Sequence, residues 1–206
     1  MRTVTRLTLF TLILVVMAGC HPKPVKTIEN LKISYKIEST SSAKYAAFSD
    51  SAKAEGFDTI AVMFNAISKS GAILAANHLG VLKSFGEKVD EPVIDKFDIL
   101  STKENITRAI KYEANELDKM YTEFLKAAKK ERCEEGIKSI SQALEIGKKH
   151  LEFNQRALEA LNNGSENSLP AGWFVCSVCG NTYDNTSVTA VCVFCKSTPD
   201  KFLVFN

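Results

Sequence analysis

TIENLKISYKIE at residues 27–38 is the first of two related stretches, and TKENITRAIKYE at residues 102–113 is the second. Aligning TIEN with TKEN gives an offset of 75 residues, which also superposes Glu38 on Glu113. Apolar residues recur at helical spacing through each stretch. The chain therefore reads as two helix pairs related by an approximate twofold, with a long connection crossing between them at residues 86–100.

Four long helices are predicted, because the helical period of apolar residues runs from Thr27 to Asn162 with few interruptions. Turn-forming residues interrupt it at Gly56, between 86 and 98, and near Gly136. The predicted helices span residues 27–55, 57–85, 101–131 and 134–162. Their lengths and single apolar faces are typical of an antiparallel four-helix bundle, so the predicted fold class is mainly α.

The C-terminal segment is predicted to be a separate metal-binding module at residues 173–206, joined to the bundle by a turn-rich linker at 164–172. It contains two Cys-x-x-Cys knuckles, and twelve residues separate the second cysteine from the third. Each two-residue gap lets both sulfurs of a knuckle face one point, so that four thiolates surround one ion. The predicted ligands are Cys176, Cys179, Cys192 and Cys195.

The identity of this ion is open from the residues alone, since a four-thiolate site accepts either iron or zinc. A module this small buries little core, and the ion would supply much of its folding free energy. Gly180, directly after the first knuckle, permits the turn that brings backbone amides toward the sulfurs. The alternative interpretation is a pair of disulfides, which an oxidising compartment would allow.

The first nineteen residues are predicted to be a lipoprotein signal peptide. Two arginines precede an apolar run at residues 7–18, which is short for a bilayer span. Residues 16–20 look like a bacterial lipobox, in which Cys20 becomes the lipid-carrying N-terminus and residues 20–26 form a linker beside the anchor. We therefore expect a protein of the bacterial envelope, anchored to the membrane on its periplasmic or extracytoplasmic side. The alternative is an ordinary cleaved signal peptide with an incidental Cys20.

The charge balance argues against nucleic acid as a partner. Cleavage before Cys20 would remove two arginines, so that the 26 basic and 24 acidic residues become 24 of each. No basic stripe remains that would favour a phosphate backbone, and no second apolar run predicts a membrane span. A hydrophobic fraction of 45% with 24% charged residues is typical of a globular protein.

Acidic residues inside the apolar stripes indicate a second, weaker candidate metal site. Glu38 and Glu113 occupy inward positions on the first and third helices, where an isolated carboxylate would either bind a proton or seek a cation. Glu116 lies one turn after Glu113, and His150 lies on the inward face of the fourth helix. These four residues could hold one metal ion, or the bundle could hold none, with its acids protonated or partly solvated.

Several short segments resemble the rubrerythrin family, and together they cover almost the whole mature chain. They are Ile-Glu-Ser at 37–39, Lys-Ala-Glu-Gly-Phe at 53–57, Ala-Ala-Asn-His-Leu at 75–79, Met-Tyr-Thr-Glu-Phe at 120–124 and the terminal cysteine module. The resemblance implies a ferritin-like four-helix bundle at 27–163 followed by a rubredoxin-like module. It also implies iron at the cysteines, a peroxidase-type oxidoreductase activity and pairing of chains into homodimers.

The family resemblance further implies a di-iron centre in the bundle, built from seven ligands. Glu38, Glu113 and Glu116 match the family's first- and third-helix ligands. The family's Glu-x-x-His motifs are degraded to Gly71-Ala-Ile-Leu74 on the second helix and Gly147-Lys-Lys-His150 on the fourth. A complete di-iron centre is therefore not expected, and the two glycines are expected to loosen the packing or leave room for water or a small ligand.

Three functions are compatible with these features, and no catalytic residue is assigned. The leading prediction is an iron-binding electron-transfer protein with one-electron chemistry at the cysteine site and a redox partner protein. The second is a peroxidase that reduces hydrogen peroxide at a residual bundle metal site. The third is a structural lipoprotein with a zinc ribbon. Cys133 is left over after Cys20 and the knuckle cysteines are assigned, and its role is open.

Overall fold

The computed structural model of the protein describes residues 22–206. The predicted signal peptide at 1–19 and the predicted lipid attachment at Cys20 lie outside the described residues. The described chain forms a helical bundle followed by a small three-stranded sheet. The predicted fold class is confirmed.

Each of the four predicted helices is present, and the third is divided by a π-helical segment. The helices are α1 Val25–Ala54, α2 Asp58–Ser84, α3 Thr102–Asn115, the π segment Glu116–Tyr121, α4 Thr122–Lys130 and α5 Glu134–Asn163. The connection between α2 and α3 has no regular secondary structure beyond a turn at its start. It crosses from one helix pair to the other, as the repeat predicts.

The π segment explains a one-residue change in the repeat. Glu38 and Glu113 are 75 residues apart, whereas Tyr45 and Tyr121 are 76 residues apart. The inserted residue lies within Glu116–Tyr121, where the hydrogen-bonding step of the helix lengthens by one residue. The longer offset continues afterwards, since Gly56 and Arg132 correspond and both have a positive φ, of 87° and 55°.

Each helix pair caps the first helix of the other pair. The Glu55 carboxylate at the end of α1 accepts hydrogen bonds from the Thr102 amide at 2.9 and 3.1 Å. The Glu131 carboxylate after α4 accepts from the amides of Lys26 and Thr27 at 3.0 and 2.8 Å. Both carboxylates thus satisfy amides at a helix N-terminus, where negative charge is favourable.

The C-terminal module is an antiparallel sheet with the order β2-β1-β3. Its strands are β1 Trp173–Cys176, β2 Thr182–Asp184 and β3 Phe202–Phe205. Trp173 pairs with Asp184 on one side and with Phe205 on the other. A single turn of 3-10 helix at Glu166–Ser168 lies in the connection from α5 to the sheet.

The module packs against the bundle and shares its core. The Trp173 ring lies edge-on to the Phe153 ring of α5, with 4.6 Å between ring centroids, and belongs to the same hydrophobic cluster as Phe64 of α2. A second cluster, which includes Leu31, Leu117 and Ile140, fills the other half of the bundle. Burial of these apolar side chains is the main stabilising contribution to the helix packing.

One described helix, α2, is long and apolar enough by length and composition to cross a membrane. Of its most apolar stretch, 56% is buried inside the protein, where it packs against α1, α5 and the sheet. Such burial is typical of a core helix in a bundle.

Candidate metal centres

The four knuckle cysteines converge at one point. Their sulfur atoms all lie within 4.8 Å of one another, and the nearest pairs, Cys176 with Cys195 and Cys179 with Cys192, are 3.4 Å apart. A disulfide requires about 2.05 Å, whereas thiolates bound tetrahedrally at about 2.3 Å from an ion lie about 3.8 Å apart. The spacing agrees with a shared ion better than with the predicted alternative of disulfides.

Both knuckles use the same backbone turn. The Gly180 amide donates to the Cys176 carbonyl at 2.8 Å, and the Lys196 amide donates to the Cys192 carbonyl at 2.9 Å. Gly180 and Lys196 each follow the second cysteine of a knuckle and have positive φ values of 81° and 61°. The left-handed residue turns the chain back, which lets both sulfurs of a knuckle face the same point.

Hydrogen bonds to the Cys192 sulfur stabilise its thiolate. The Tyr183 hydroxyl donates to Cys192 Sγ at 3.5 Å, and the side-chain nitrogen Nδ2 of Asn181 lies 3.9 Å from the same atom. Burial acts to raise the pKa of Cys192, but donation from the Cys195 amide, the Tyr183 hydroxyl and the Phe194 amide lowers it to about 6. A thiolate is the form that binds metal, so the donor set fits a metal such as iron or zinc.

The first knuckle is held on the bundle by four side chains. From α2, Ser70 Oγ donates to the Gly180 carbonyl at 2.5 Å and Asn77 Nδ2 donates to the Val178 carbonyl at 3.1 Å. From α5, Lys149 Nζ donates to Asn181 Oδ1 at 2.7 Å, and His150 Nε2 lies 3.1 Å from Thr182 Oγ1. Three of these residues, Ser70, Asn77 and Lys149, lie in or close to the degraded Glu-x-x-His motifs at 71–74 and 147–150, and His150 belongs to the second motif.

His150 hydrogen bonds to the module and is neutral. Thr182 Oγ1 lies 3.1 Å from the Gly180 carbonyl, which can only accept, so the hydrogen-bond network assigns the Thr182 proton to that carbonyl. His150 Nε2 then donates to Thr182. Burial lowers the pKa of His150 to about 3. Nε2 of His150, a predicted ligand in the bundle, therefore hydrogen bonds to Thr182 of the C-terminal sheet.

Glu38, Glu113, Glu116 and His150 line one cavity of about 30 Å³ in the middle of the bundle. Among residues 22–206, the four cysteines are the one group of at least three His, Cys, Asp or Glu side chains with donor atoms within 4.8 Å of one another. The bundle residues share a cavity but do not approach each other as the cysteines do. Metal binding by these four residues stays a prediction.

Two tyrosines bind the bundle carboxyl groups in a crossed arrangement. Tyr121 of the second helix pair donates to Glu38 of the first at 2.6 Å, and Tyr45 of the first pair donates to Glu113 of the second. Asn154 Nδ2 donates to Glu113 at 3.2 Å and to the Tyr45 hydroxyl at 2.7 Å. Glu38 and Glu113 thus accept hydrogen bonds from protein side chains.

Glu38 and Glu113 are mostly protonated at neutral pH. Burial raises the pKa of Glu38 and of Glu113 to about 8, although the tyrosine hydroxyls act in the opposite direction. Burial also raises the pKa of Glu116, which the Lys44 ammonium partly opposes. A neutral carboxyl group that accepts a hydrogen bond can remain buried without a cation.

The two glycines of the degraded motifs do not loosen the packing, and that expectation is wrong. The alternative expectation, room for water or a small ligand, stays a prediction, since Gly147 lines the central cavity. A Cβ on Gly71 would lie 3.3 Å from the Glu38 carbonyl oxygen and 3.4 Å from the Ser42 amide nitrogen. A Cβ on Gly147 would lie 2.7 Å from Leu117 Cδ2. The α1 backbone and a leucine side chain occupy the space of the missing carboxylates, so the seven-ligand family centre does not fit these residues.

A separate cleft of about 320 Å³ connects solvent to the bundle acids. It opens between α1, α3 and residues 95–98 of the connection, and its lining includes the exposed Arg108 and the buried Tyr45. Glu113 and Glu116 line both this cleft and the central cavity. Small polar molecules therefore have a route toward these two carboxyl groups.

His78 and Cys133 are two further residues that are buried in the protein. His78 lies in the interior with Nδ1 2.7 Å from Ser139 Oγ, and burial lowers its pKa to about 4. Cys133 precedes α5, and burial raises the pKa of its thiol. Neither residue lines the central cavity or the cysteine site.

The sequence reasoning missed the residues that join the two sites. Ser70, Lys149 and Thr182 carry no motif, and they meet only because the module folds back on α2 and α5. The tyrosines had a detectable signal, since Tyr45 lies in an apolar helical stripe and Tyr121 matches it at an offset of 76. A buried tyrosine hydroxyl needs a partner, and a buried glutamate can provide one.

Comparisons with known proteins agree with this architecture. The family model described as Rubrerythrin matches residues 29–158. The chain is 28% identical to Rubrerythrin-2 of Clostridium acetobutylicum over 185 residues, which cover 89% of this chain and 98% of that protein. It is 22% identical to nigerythrin of Nitratidesulfovibrio vulgaris over 179 residues, which cover 87% of this chain and 86% of the relative.

Solved structures with the same fold extend beyond close relatives. Nigerythrin in its fully reduced, all-ferrous state superposes with a TM-score of 0.77 at 22% identity, over 86% of both chains. An open-pore ferritin from Archaeoglobus fulgidus superposes with a TM-score of 0.60 at 14% identity, over 67% of this chain and 86% of the ferritin. With its ferritin-like bundle, its cysteine cluster and the match over residues 29–158, the chain belongs to the rubrerythrin family.

Proposed function

We propose that the protein is an iron-binding electron-transfer protein of the bacterial envelope, with its redox site at Cys176, Cys179, Cys192 and Cys195. The observation that carries the proposal is the convergence of four sulfurs in a chain of the rubrerythrin family. Bound iron would supply a one-electron ferric–ferrous couple. The structures of nigerythrin in reduced and mixed-valence states support iron as the metal.

The chain's own residues would hold the site rigidly and keep water away from it. Cys176, Cys179 and Cys192 are buried, with at most 2% of their surface exposed. A site whose ligands move little between redox states needs little reorganisation when its charge changes. Val178 and Val193, one inside each knuckle, are 48% and 45% exposed and offer an apolar contact for a redox partner protein.

The proposal is tested by metal analysis and voltammetry of the full chain purified from cells supplied with iron. We expect one iron per chain, thiolate-to-iron absorption bands and a reversible one-electron wave. Cys192→Ser should lose all three, whereas Cys133→Ser, at a buried cysteine outside the cluster, should keep them. A colourless wild-type protein with stoichiometric zinc and no wave would contradict the proposal and favour the zinc-ribbon scaffold.

We also propose that Cys20 carries the lipid that attaches the protein to the membrane on the extracytoplasmic side. The support is the lipobox-like sequence at residues 16–20 after a short apolar run. Cells fed a radiolabelled fatty acid should label the wild-type chain but not Cys20→Ser. Labelling of both, or of neither, would contradict lipid attachment at this residue.

A peroxidase activity is the second candidate, because the 320 Å³ cleft leads from solvent to Glu113 and Glu116. This activity requires a second metal in the bundle, where only three carboxylates and His150 remain of the family ligands. Stopped-flow mixing of the reduced protein with hydrogen peroxide tests it. Rapid oxidation that Glu113→Gln abolishes, in protein with more than one iron per chain, would support the peroxidase.

A further inference from the structure

Lys149 of α5 reaches out of the bundle to the cysteine module. Its ammonium donates to Asn181 Oδ1 at 2.7 Å and lies 4.6 Å from the centre of the Tyr183 ring and 5.4 Å from that of Phe194. The side chain is half-buried between the helix and the sheet. An ammonium enclosed by aromatic rings keeps more of its electrostatic effect than one in bulk water.

The charge of Lys149 is not neutralised by an ion pair. None of the salt bridges among residues 22–206 includes it. The neighbouring Lys148 differs, since its ammonium is exposed and pairs with Glu145 at 2.6 Å. The two adjacent lysines therefore have the same charge in opposite surroundings, which provides a matched pair for experiments.

Two of the groups that Lys149 contacts, Asn181 and Tyr183, also donate to the Cys192 sulfur. Asn181 accepts from Lys149 through Oδ1, while its Nδ2 lies 3.9 Å from Cys192 Sγ. Tyr183 lies beneath the ammonium and donates its hydroxyl proton to the same sulfur at 3.5 Å. A positive charge at one end of such a polar group strengthens its donation at the other end.

We propose that Lys149 raises the reduction potential of the cysteine site and so couples the redox state of the module to its contact with the bundle. The inference rests on the proposed electron-transfer function. When the site takes one electron from a donor protein, no bond forms or breaks and its charge becomes more negative by one. A fixed ammonium beside Asn181 and Tyr183 favours that more negative state.

The coupling must act in both directions. If docking of Lys149 favours the reduced site, reduction must tighten docking by the same free energy. The contacts of Ser70, Asn77, Lys149 and His150 all fall on Val178–Thr182, whereas the second knuckle at 192–195 makes none of these hydrogen bonds to the bundle. The segment Val178–Thr182 is therefore where a change in redox state should alter backbone protection.

The test is protein-film voltammetry of the full-length iron protein and three variants. Lys149→Gln should shift the midpoint potential to a more negative value. Lys149→Arg, which keeps the charge, should stay close to wild type, and Lys148→Gln should leave the potential unchanged. Should Lys149→Gln lose its thiolate-to-iron bands, Lys149→Met, which keeps the aliphatic stem over Tyr183, serves in its place.

Hydrogen exchange gives a second readout that a purely structural role would not produce. Amides of residues 178–182 should exchange more slowly in reduced than in oxidised wild-type protein, and this difference should disappear in Lys149→Gln. If the wild-type protein gives a wave and Lys149→Gln shifts its potential no more than Lys148→Gln does, the inference is overturned and the proposed function stands. A wild-type protein with no wave removes the proposed function and the inference together.

Discussion

At the scale of single residues, glycines occupy two positions of the degraded ligand motifs in the bundle. Tyrosine hydroxyls donate hydrogen bonds to two of the glutamates that are candidate metal ligands. Gly71 brings the α2 backbone against α1 at the carbonyl of Glu38, and Leu117 fills the space beside Gly147. Tyr45 and Tyr121 then donate hydrogen bonds to Glu113 and Glu38, two of the three glutamates that line the central cavity. Protein atoms lie close to both glycines, which makes the local cost of a substitution there predictable.

Gly71→Ala should lower the free energy of unfolding by about 1–2 kcal/mol. The added methyl meets backbone atoms of Glu38 and Ser42 at 3.3 and 3.4 Å, which overpacks a rigid contact and outweighs the better helix propensity of alanine. Gly80→Ala is the control, because nothing lies within 4 Å of its added Cβ, and it should gain up to about 1 kcal/mol. Denaturant titrations followed by circular dichroism measure both, and equal gains would contradict the close helix contact.

Rising pH should destabilise the bundle. Glu38 and Glu113 have a pKa of about 8 when folded, against an ordinary value of 4.5, so the folded state holds more protons between those pH values. The free energy of unfolding should therefore fall from about pH 4.5 to 8, by at most about 1.4 kcal/mol per pH unit for each group. Denaturant titrations across this range should show a shallower slope for Glu38→Gln and Glu113→Gln. A stability that rises over the same range would show that these carboxyl groups are charged in the native protein.

At the scale of elements, the two helix pairs are related by the sequence repeat, and the second pair has one inserted residue relative to the first. The π segment Glu116–Tyr121 accounts for the insertion, and it turns Tyr121 toward Glu38 and Leu117 toward Gly147. The turn after α1 and the turn after α4 correspond. Each contains one residue with a positive φ, which is Gly56 in the first turn and Arg132 in the second. The second turn thus has a side chain at the position where the first has none.

Arg132→Gly should raise the free energy of unfolding by about 0.5–1 kcal/mol. The positive φ of Arg132 costs a residue with a side chain roughly 1–2 kcal/mol, and glycine avoids this cost. Part of the gain is lost because glycine has greater conformational entropy in the unfolded state. Gly56→Ala adds a side chain at the corresponding residue of the first turn and should lower the free energy of unfolding. Thermal unfolding of both variants measures the difference, and a loss of stability in Arg132→Gly would mean that the arginine makes a compensating contact.

At the scale of the whole molecule, the cysteine module and the bundle pack together and share a core. Trp173 and Val175 of β1 belong to the same core as Tyr45 and Phe64, and Arg156 of α5 bonds Asp184 of β2 at 2.9 Å. The module has only residues 173–206 with which to build a core of its own. Its fold should therefore depend on both the ion and the bundle surface.

Removing the metal should unfold the module and leave the helices in place. Trp173 is the only tryptophan of the chain and is 1% exposed, so its fluorescence reports on the module–bundle contact. A strong chelator added to the zinc-loaded protein, which avoids quenching by iron, should shift the emission to longer wavelength. Helical circular dichroism should change little. Unchanged emission after complete metal removal would show that the bundle alone holds the module folded.

Much of the architecture could be read from the sequence because it depends on local patterns. The apolar period from Thr27 to Asn162 predicts the four helices, and paired Cys-x-x-Cys knuckles predict converging sulfurs. The π segment was also detectable, since the repeat offset changes from 75 to 76. The effect of the two glycines was not, because a missing side chain can leave a void or admit a neighbour, and only packing decides which.

The sequence by itself determined which side chains are available: four thiolates at knuckle spacing, three carboxyl groups for the bundle interior, and glycines at two positions where the family resemblance implies glutamates. Only the tertiary structure decided what these groups contact. It brought His150 to Thr182, Lys149 to Asn181, and the α1 backbone to Gly71. The physical reason is range, because helical period and knuckle geometry act over a few neighbouring residues, whereas these contacts join residues 29 to 33 positions apart. The two hydrogen bonds among them exist only once the sheet and helices are packed together.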